Sequence, residues 1–82
     1  MFEDQLRERL HANLVEALRK RRESLGMSMN RLAEESGLSL SMISFVERGM
    51  RKPTLDTLLR MASALDLVLW QAIKHATEKT RP

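Results

Sequence analysis

Between Ser28 and Pro53 the chain reads SMNRLAEESGLSLSMISFVERGMRKP, two apolar-periodic stretches parted only by Gly37-Leu38-Ser39. Helices of about two turns are marginal in isolation, so each must gain its stability from close contact with the other. Ala33 has too little side chain to hold the second helix away. Gly37, four residues later, permits a left-handed turn that a Cβ would strain. Ile43 and Val46, ten and thirteen residues after Ala33, are expected to point inward from the second member. A tight crossing of this kind leaves the second helix standing proud of its support.

Apolar residues elsewhere also recur at three and four, never alternating over a useful length, so the expected class is all-α with five helices. The first spans about Glu3 to Ser24, with a stripe of Phe2, Leu6, Leu10, Leu14, Ala17 and Leu18 and, just beyond, Leu25; Gly26 ends it, and Asn13 is the place where it could break in two. Ser28 and Ser39 are the expected N-caps of the two short helices, which end at Gly37 and Gly49. Thr54 caps the fourth, whose stripe is Leu55, Leu58, Leu59, Ala62 and Leu65, with Asp56 near its positive end. The fifth runs from about Leu67 to Thr77 with Leu69, Ile73 and Ala76 on one face. The expected organisation is an N-terminal helical extension over 1–13, a domain over 14–77 and a frayed tail over 78–82.

An 82-residue chain has room for one small domain and no separate substrate domain. With 43% hydrophobic and 30% charged residues it is globular. The absence of Cys removes disulfides, thiol nucleophiles and zinc clusters, and His11 and His75 are too far apart in sequence to suggest a metal site; both are expected on helix surfaces. No motif calls for a cofactor or small-molecule ligand, and no base stands at a catalytic spacing from any Ser, so an enzyme is not expected. No apolar run approaches the ~20 residues of a membrane span, and the acidic start is unlike a signal peptide, so the expected location is cytoplasmic. The net charge of +3 is spread evenly: six basic and five acidic residues up to Leu25, then four and three in each of the two stretches that follow. It is compatible with an anionic partner and does not by itself indicate one. A protruding helix, however, matches a DNA major groove about 12 Å wide.

The series Arg22, Gly26, Ser28, Leu32-Ala33, Gly37, Ser39, Ile43-Ser44, Val46-Glu47-Arg48-Gly49, Pro53-Thr54-Leu55, Leu58-Leu59 and Ala62-Ser63-Ala64-Leu65 resembles the Cro/repressor-type (XRE) helix-turn-helix family, over about Leu14 to Leu69. The resemblance implies a five-helix, lambda-repressor-like domain, here with an extended first helix. It implies a sequence-specific regulator of transcription that binds double-stranded DNA as a homodimer on an inverted-repeat operator, more often as a repressor or autoregulator. By the same resemblance Leu40, Ser41, Ser44 and Phe45 face base edges. Ser28, Met29, Ser39, Arg51, Lys52 and Thr54 lie beside phosphates, and Arg22 pairs with Glu47 as a structural ion pair.

Two departures from the family pattern bear on mechanism. Met29 stands where many members carry Gln, and Met can brace neither a phosphate nor a neighbouring side chain. The base-reading set is apolar apart from Ser41 and Ser44, so Leu40 and Phe45 are left to read thymine methyls or groove shape. Apolar side chains on a protruding helix also suit a protein partner, which keeps open a second reading as a protein-interaction module. In the run Arg19-Lys20-Arg21-Arg22, positions other than Arg22 fan around the helix and are expected mainly in solvent. Val68 and Trp70, where the family is commonly polar, join Phe2, Leu6 and Leu10 as dimer-interface candidates, with core packing an equal alternative for Trp70; the extension is expected to pack on its own fifth helix or, by modest preference, on a partner's.

Overall fold

A computed structural model describes residues 3–81, and these residues form α1 (Asp4–Ser24), α2 (Met29–Ser36), α3 (Leu40–Glu47), α4 (Leu55–Ala64) and α5 (Leu69–Thr80), with no strand. Local chemistry sets most of the boundaries. The Ser28 hydroxyl accepts from the Arg31 amide at 3.0 Å, that of Ser39 from Met42 at 3.0 Å, and that of Thr54 from Thr57 at 3.1 Å. Each satisfies an amide that the first helical turn leaves without a partner. Gly37 closes α2 at φ 74°, and the amides of both Gly37 and Leu38 return to the Ala33 carbonyl. That left-handed step reverses the chain between α2 and α3 within three residues. At the end of α4 the left-handed position is held by Asp66, φ 51°, and Arg21 from α1 donates to the Leu65 carbonyl at 3.0 Å and to that of Asp66 at 3.3 Å. Arg21 is therefore a cross-helix cap, where its place in the basic run suggested a solvated cation.

Two apolar clusters hold the bundle. The first joins Val15 and Leu18 of α1, Leu32 and Ala33 of α2, Ile43 and Val46 of α3, and Met61 of α4 with Leu65 just after it. Leu32, Ile43, Val46, Met61 and Leu65 are wholly buried, which fixes the roll of the two short helices about their axes. The second cluster joins Leu14 to Ala72 and Ala76 of α5, with Leu10, Leu58, Leu67 and Ile73 against it. Among the described residues no helix is long and apolar enough to cross a membrane.

Three expectations need correction. The α4 stripe is rotated: Leu55 and Leu59 are exposed, while Thr57 and Met61 are buried. A repeat of three and four permits either of two adjacent faces, and the core takes the one bearing Met61. The tail is not frayed through Thr80, because α5 continues to that residue and its side chain is wholly buried. Its hydroxyl accepts from Asn13 Nδ2 at 2.8 Å and donates to the Ala76 carbonyl at 2.6 Å. Asn13 thus joins α1 to α5, and α1 runs through it unbroken. Finally, of the two placements open to the extension, the structure shows Leu10 against the chain's own α5 cluster, because the extension prolongs α1 alongside α5. Leu6 is half-buried, and Phe2 lies outside the described residues.

Replacing Thr80 with Val keeps the shape and deletes both hydrogen bonds, stranding the Asn13 amide. We expect a loss of about 1–3 kcal/mol in urea denaturation, whereas an unstructured tail would leave the midpoint unchanged.

Candidate nucleic-acid interface

A helix advances 100° per residue, so with Ile43 and Val46 fully inside, the opposite face of α3 carries positions 40, 41, 44, 45 and 48. Leu40 is 45% exposed, Ser41 and Arg48 are exposed, and Ser44 and Phe45 are half-buried at the shoulder. Leu40, Ser41, Ser44 and Phe45 thus share one outward face of the protruding helix. Arg48 belongs to the same face, although the family pattern that includes it gave it no role at a base or a phosphate. Its spacing, three from Phe45 and four from Ser44, was the available signal.

Around this face lie the other candidate residues. Ser28, Met29 and Ser39 are exposed at the starts of α2 and α3, with the capping hydroxyls of the two serines turned to backbone amides. Thr54 is exposed at the start of α4. Arg51 and Lys52, both exposed, follow α3 in the loop. Their surroundings differ. Lys52 is hydrogen-bonded to the Glu8 carboxylate of α1, a contact that holds the Glu8 carboxyl below its ordinary pKa. The Arg51 guanidinium instead lies over the Phe45 ring, 5.4 Å from its centroid, and that of Arg48 sits 5.8 Å from the same centroid.

The orientation of α3 is fixed by one buried ion pair. Arg22 in the last turn of α1 donates through Nε at 2.7 Å and through a terminal nitrogen at 2.9 Å to the two carboxylate oxygens of Glu47, the final residue of α3. Its other terminal nitrogen donates to the Met27 carbonyl at 2.8 Å. The side chains are only 13% and 5% exposed. The hydrogen bonds to Glu47 raise the Arg22 pKa against the opposing effect of burial, so the guanidinium stays charged at any accessible pH.

The helix-turn-helix family profile matches residues 18–68, more than half of the chain. The chain belongs to the XRE-type helix-turn-helix family. Among its relatives, an uncharacterized HTH-type transcriptional regulator of Mycobacterium tuberculosis is 50% identical over 48 residues, 58% of this chain and 34% of that protein. The HTH-type transcriptional regulator SutR of Escherichia coli is 37% identical over 60 residues, 73% of this chain and 34% of that protein. The chain thus spans about a third of these relatives' length, although it covers 69% of a Haemophilus influenzae HTH-type transcriptional regulator at 35% identity. Among solved structures, the restriction-modification controller protein C.AhdI of Aeromonas hydrophila superposes with a TM-score of 0.71 at 35% identity, covering 76% of this chain and 94% of that one. The controller protein C.Esp1396I superposes with a TM-score of 0.75 at 25% identity, covering 85% and 95%. The five-helix, lambda-repressor-like architecture is therefore the XRE-type fold.

Away from the α3 face of this helix-turn-helix domain, Val68 and Trp70 at the start of α5 are 50% and 62% exposed. Leu55 and Leu59 of α4, expected in the core, are 64% and 49% exposed. His11 departs from the surface position expected of it: it is half-buried beside Glu8, Glu47 and Arg48, and its Nε2 is buried without a protein hydrogen-bond partner. Among the described residues no group of His, Asp and Glu could hold a metal ion.

Truncating Glu47 to Ala leaves the Arg22 charge uncompensated in a nearly dry site. The expected cost is about 3–5 kcal/mol, which lowers the thermal midpoint by more than ~10 °C. Replacing both partners together, Arg22→Met with Glu47→Leu, should recover most of that loss when the two melts are compared by circular dichroism.

Proposed function

We propose that this protein is a sequence-specific, double-stranded DNA-binding transcriptional regulator that acts as a homodimer. Each copy inserts α3 into one major groove of an inverted-repeat operator. The observation that carries the reading is the face of α3. It is turned outward by the buried Ile43 and Val46 and held at that roll by Arg22 and Glu47. Family membership and the names of the relatives support a role in transcription. The likeness to two restriction-modification controllers, over nearly the whole of each, supports a regulator that works by occupying its site. A small dimer over a promoter excludes polymerase, so repression or autoregulation is the sign we assign. Catalysis and cofactors have no part in it.

Within this reading Leu40, Ser41, Ser44 and Phe45 approach base edges. Ser28, Met29, Ser39, Arg51 and Thr54 lie along the phosphates, where the amides at the starts of α2 and α4 add donors. Lys52 can join them only by giving up Glu8. Two serines, one of them half-buried, give little hydrogen-bond discrimination, so affinity leans on phosphate contacts and groove shape. The dimer surface we assign centres on Val68 and Trp70, with Leu55 and Leu59 of α4, because large apolar side chains this exposed on so small a domain are best covered by a second copy. Leu10 is already spent on the chain's own core.

Selection from random duplexes tests the assignment. A symmetric motif with half-sites about one helical turn, roughly 34 Å, apart is expected. Neutralising about six phosphates per dimer should give a log–log salt slope near −5. Arg51→Ala should weaken all duplexes alike, and Ser44→Ala should change base preference. If no sequence is enriched and a protein is captured through Leu40 instead, α3 serves a protein partner.

A separate variant tests the interface. Trp70→Glu should shift sedimentation to the monomer and abolish cooperative occupation of paired half-sites, leaving the monomer's melting temperature within a few degrees of the original. A dimer that survives this change places the interface elsewhere.

A further inference from the structure

Phe45 has an outward position on α3, yet its ring is engaged within the chain. Arg48 Cζ lies 5.8 Å and Arg51 Cζ 5.4 Å from the ring centroid, inside the range in which a guanidinium is held by an aromatic face. Arg48 comes from the C-terminal end of α3 and Arg51 from the loop after Gly49, so the ring joins a helical cation to a loop cation. No ion pair among the described residues involves either guanidinium, whereas Lys52 next in sequence is matched to Glu8, Arg31 to Glu35, and Arg60 to Asp56. The turn after α3 also fixes the geometry: Gly49 adopts φ 72°, its amide donates to the Val46 carbonyl and the Met50 amide donates to that of Phe45. That closure brings the chain back over the helix end and delivers Arg51 to the ring of the residue six positions earlier.

We propose that Phe45 is a positioning residue, a plate on which Arg48 and Arg51 are stacked, and that Arg48 is a second phosphate-binding cation at the exit of α3. This rests on the reading of α3 as the groove-entering helix. An arginine free in solvent must lose much of its rotamer freedom to meet a phosphate; one already lying on a ring has lost part of it beforehand. The plate thus converts two long, mobile side chains into a preset pair of donors held at one ring. It also redefines the role of Phe45, whose ring is engaged by two guanidiniums before any base approaches.

The test compares wild type with Phe45→Leu, Phe45→Trp, Arg48→Ala and the variant that combines Phe45→Leu with Arg48→Ala. In the free protein, NMR should show the δ-methylene protons of Arg48 and Arg51 displaced by the ring current, and Phe45→Leu should return them to ordinary positions with the fold intact. With a non-specific duplex, Arg48→Ala should reduce the salt slope by about 0.9 per subunit. Phe45→Leu should weaken every duplex alike, by about two- to fivefold per subunit, and Phe45→Trp should restore the loss. Arg48→Ala should cost less when Phe45→Leu is already present than in wild type. Additive losses, an unchanged slope in Arg48→Ala, or a Phe45→Leu protein that re-ranks bases while its arginine resonances stay put would each overturn the proposal. If the wild type binds no duplex although the ring-current shifts are present, the groove-entering reading itself has failed and this role falls with it.

Discussion

The pairing of Arg22 with Glu47 is the contact on which the rest of the architecture turns. It ties the last turn of α1 to the last residue of α3 and, through the Met27 carbonyl, to the loop that leads into α2. Burial of Ile43 and Val46 sets which face of α3 turns inward, but apolar contacts tolerate small shifts along the helix axis. A two-pronged guanidinium–carboxylate contact has far less tolerance, because both hydrogen bonds demand the same plane and spacing. Replacing such a pair with apolar side chains can be neutral for stability, so its value lies in setting where α3 ends and which way it faces. Everything placed on the outward face, from Leu40 to Arg48, inherits that alignment.

Much of this could be read from residue types because the determinants are local. Ser28, Ser39 and Thr54 cap helices through amides three residues on, and Gly37 turns the chain where only a left-handed residue fits. Ala33, Ile43 and Val46 followed from the crossing that two short helices require. What escaped the sequence depends on distance or on a choice between equivalents. Asn13 and Thr80 meet across 67 positions, and neither residue carries a local sign that the other exists. The repeat of three and four fits two neighbouring faces of α4, one of them bearing Leu55 and Leu59, and only packing against α2 and α5 decides that Thr57 and Met61 face the core. Arg21 has no local partner in its basic run, because the carbonyls it caps belong to another helix end. On the outward face of α3 the spacing of Phe45 and Arg48 was visible, but the return of Arg51 onto the same ring depends on the turn at Gly49.

Two clusters give the domain a division of labour. The first surrounds α2 and α3 and supports the outward face of α3; the second ties the N-terminal half of α1 to α5. Leu14 and Val15, adjacent in sequence, enter different clusters, so α1 is the rigid element that couples them. Extending α1 toward the N-terminus lengthens the second cluster through Leu10 without disturbing the first. This leaves the exposed Val68 and Trp70 at the start of α5 on the part of the molecule that the extension steadies.

Charge placement decides more here than net charge. The excess of +3 is spread along the sequence and steers nothing by itself. In the fold, however, most arginines near a carboxylate are matched: Arg7 with Asp4, Arg19 with Glu16 and Glu23, Arg31 with Glu35, Arg60 with Asp56. Such exposed pairs contribute little to stability, typically below about 1 kcal/mol, but they cancel one another's field beyond a few ångströms. Arg48 and Arg51 have an aromatic ring for company in place of an acid, so their charge is held in place without being neutralised. Two guanidiniums without an ion pair among the described residues therefore sit together where α3 leaves the domain, beside its outward face. On the DNA-binding reading proposed above, such a surface would draw affinity from the charge of a duplex backbone and leave discrimination to Ser41, Ser44 and Leu40 and to the width of the groove.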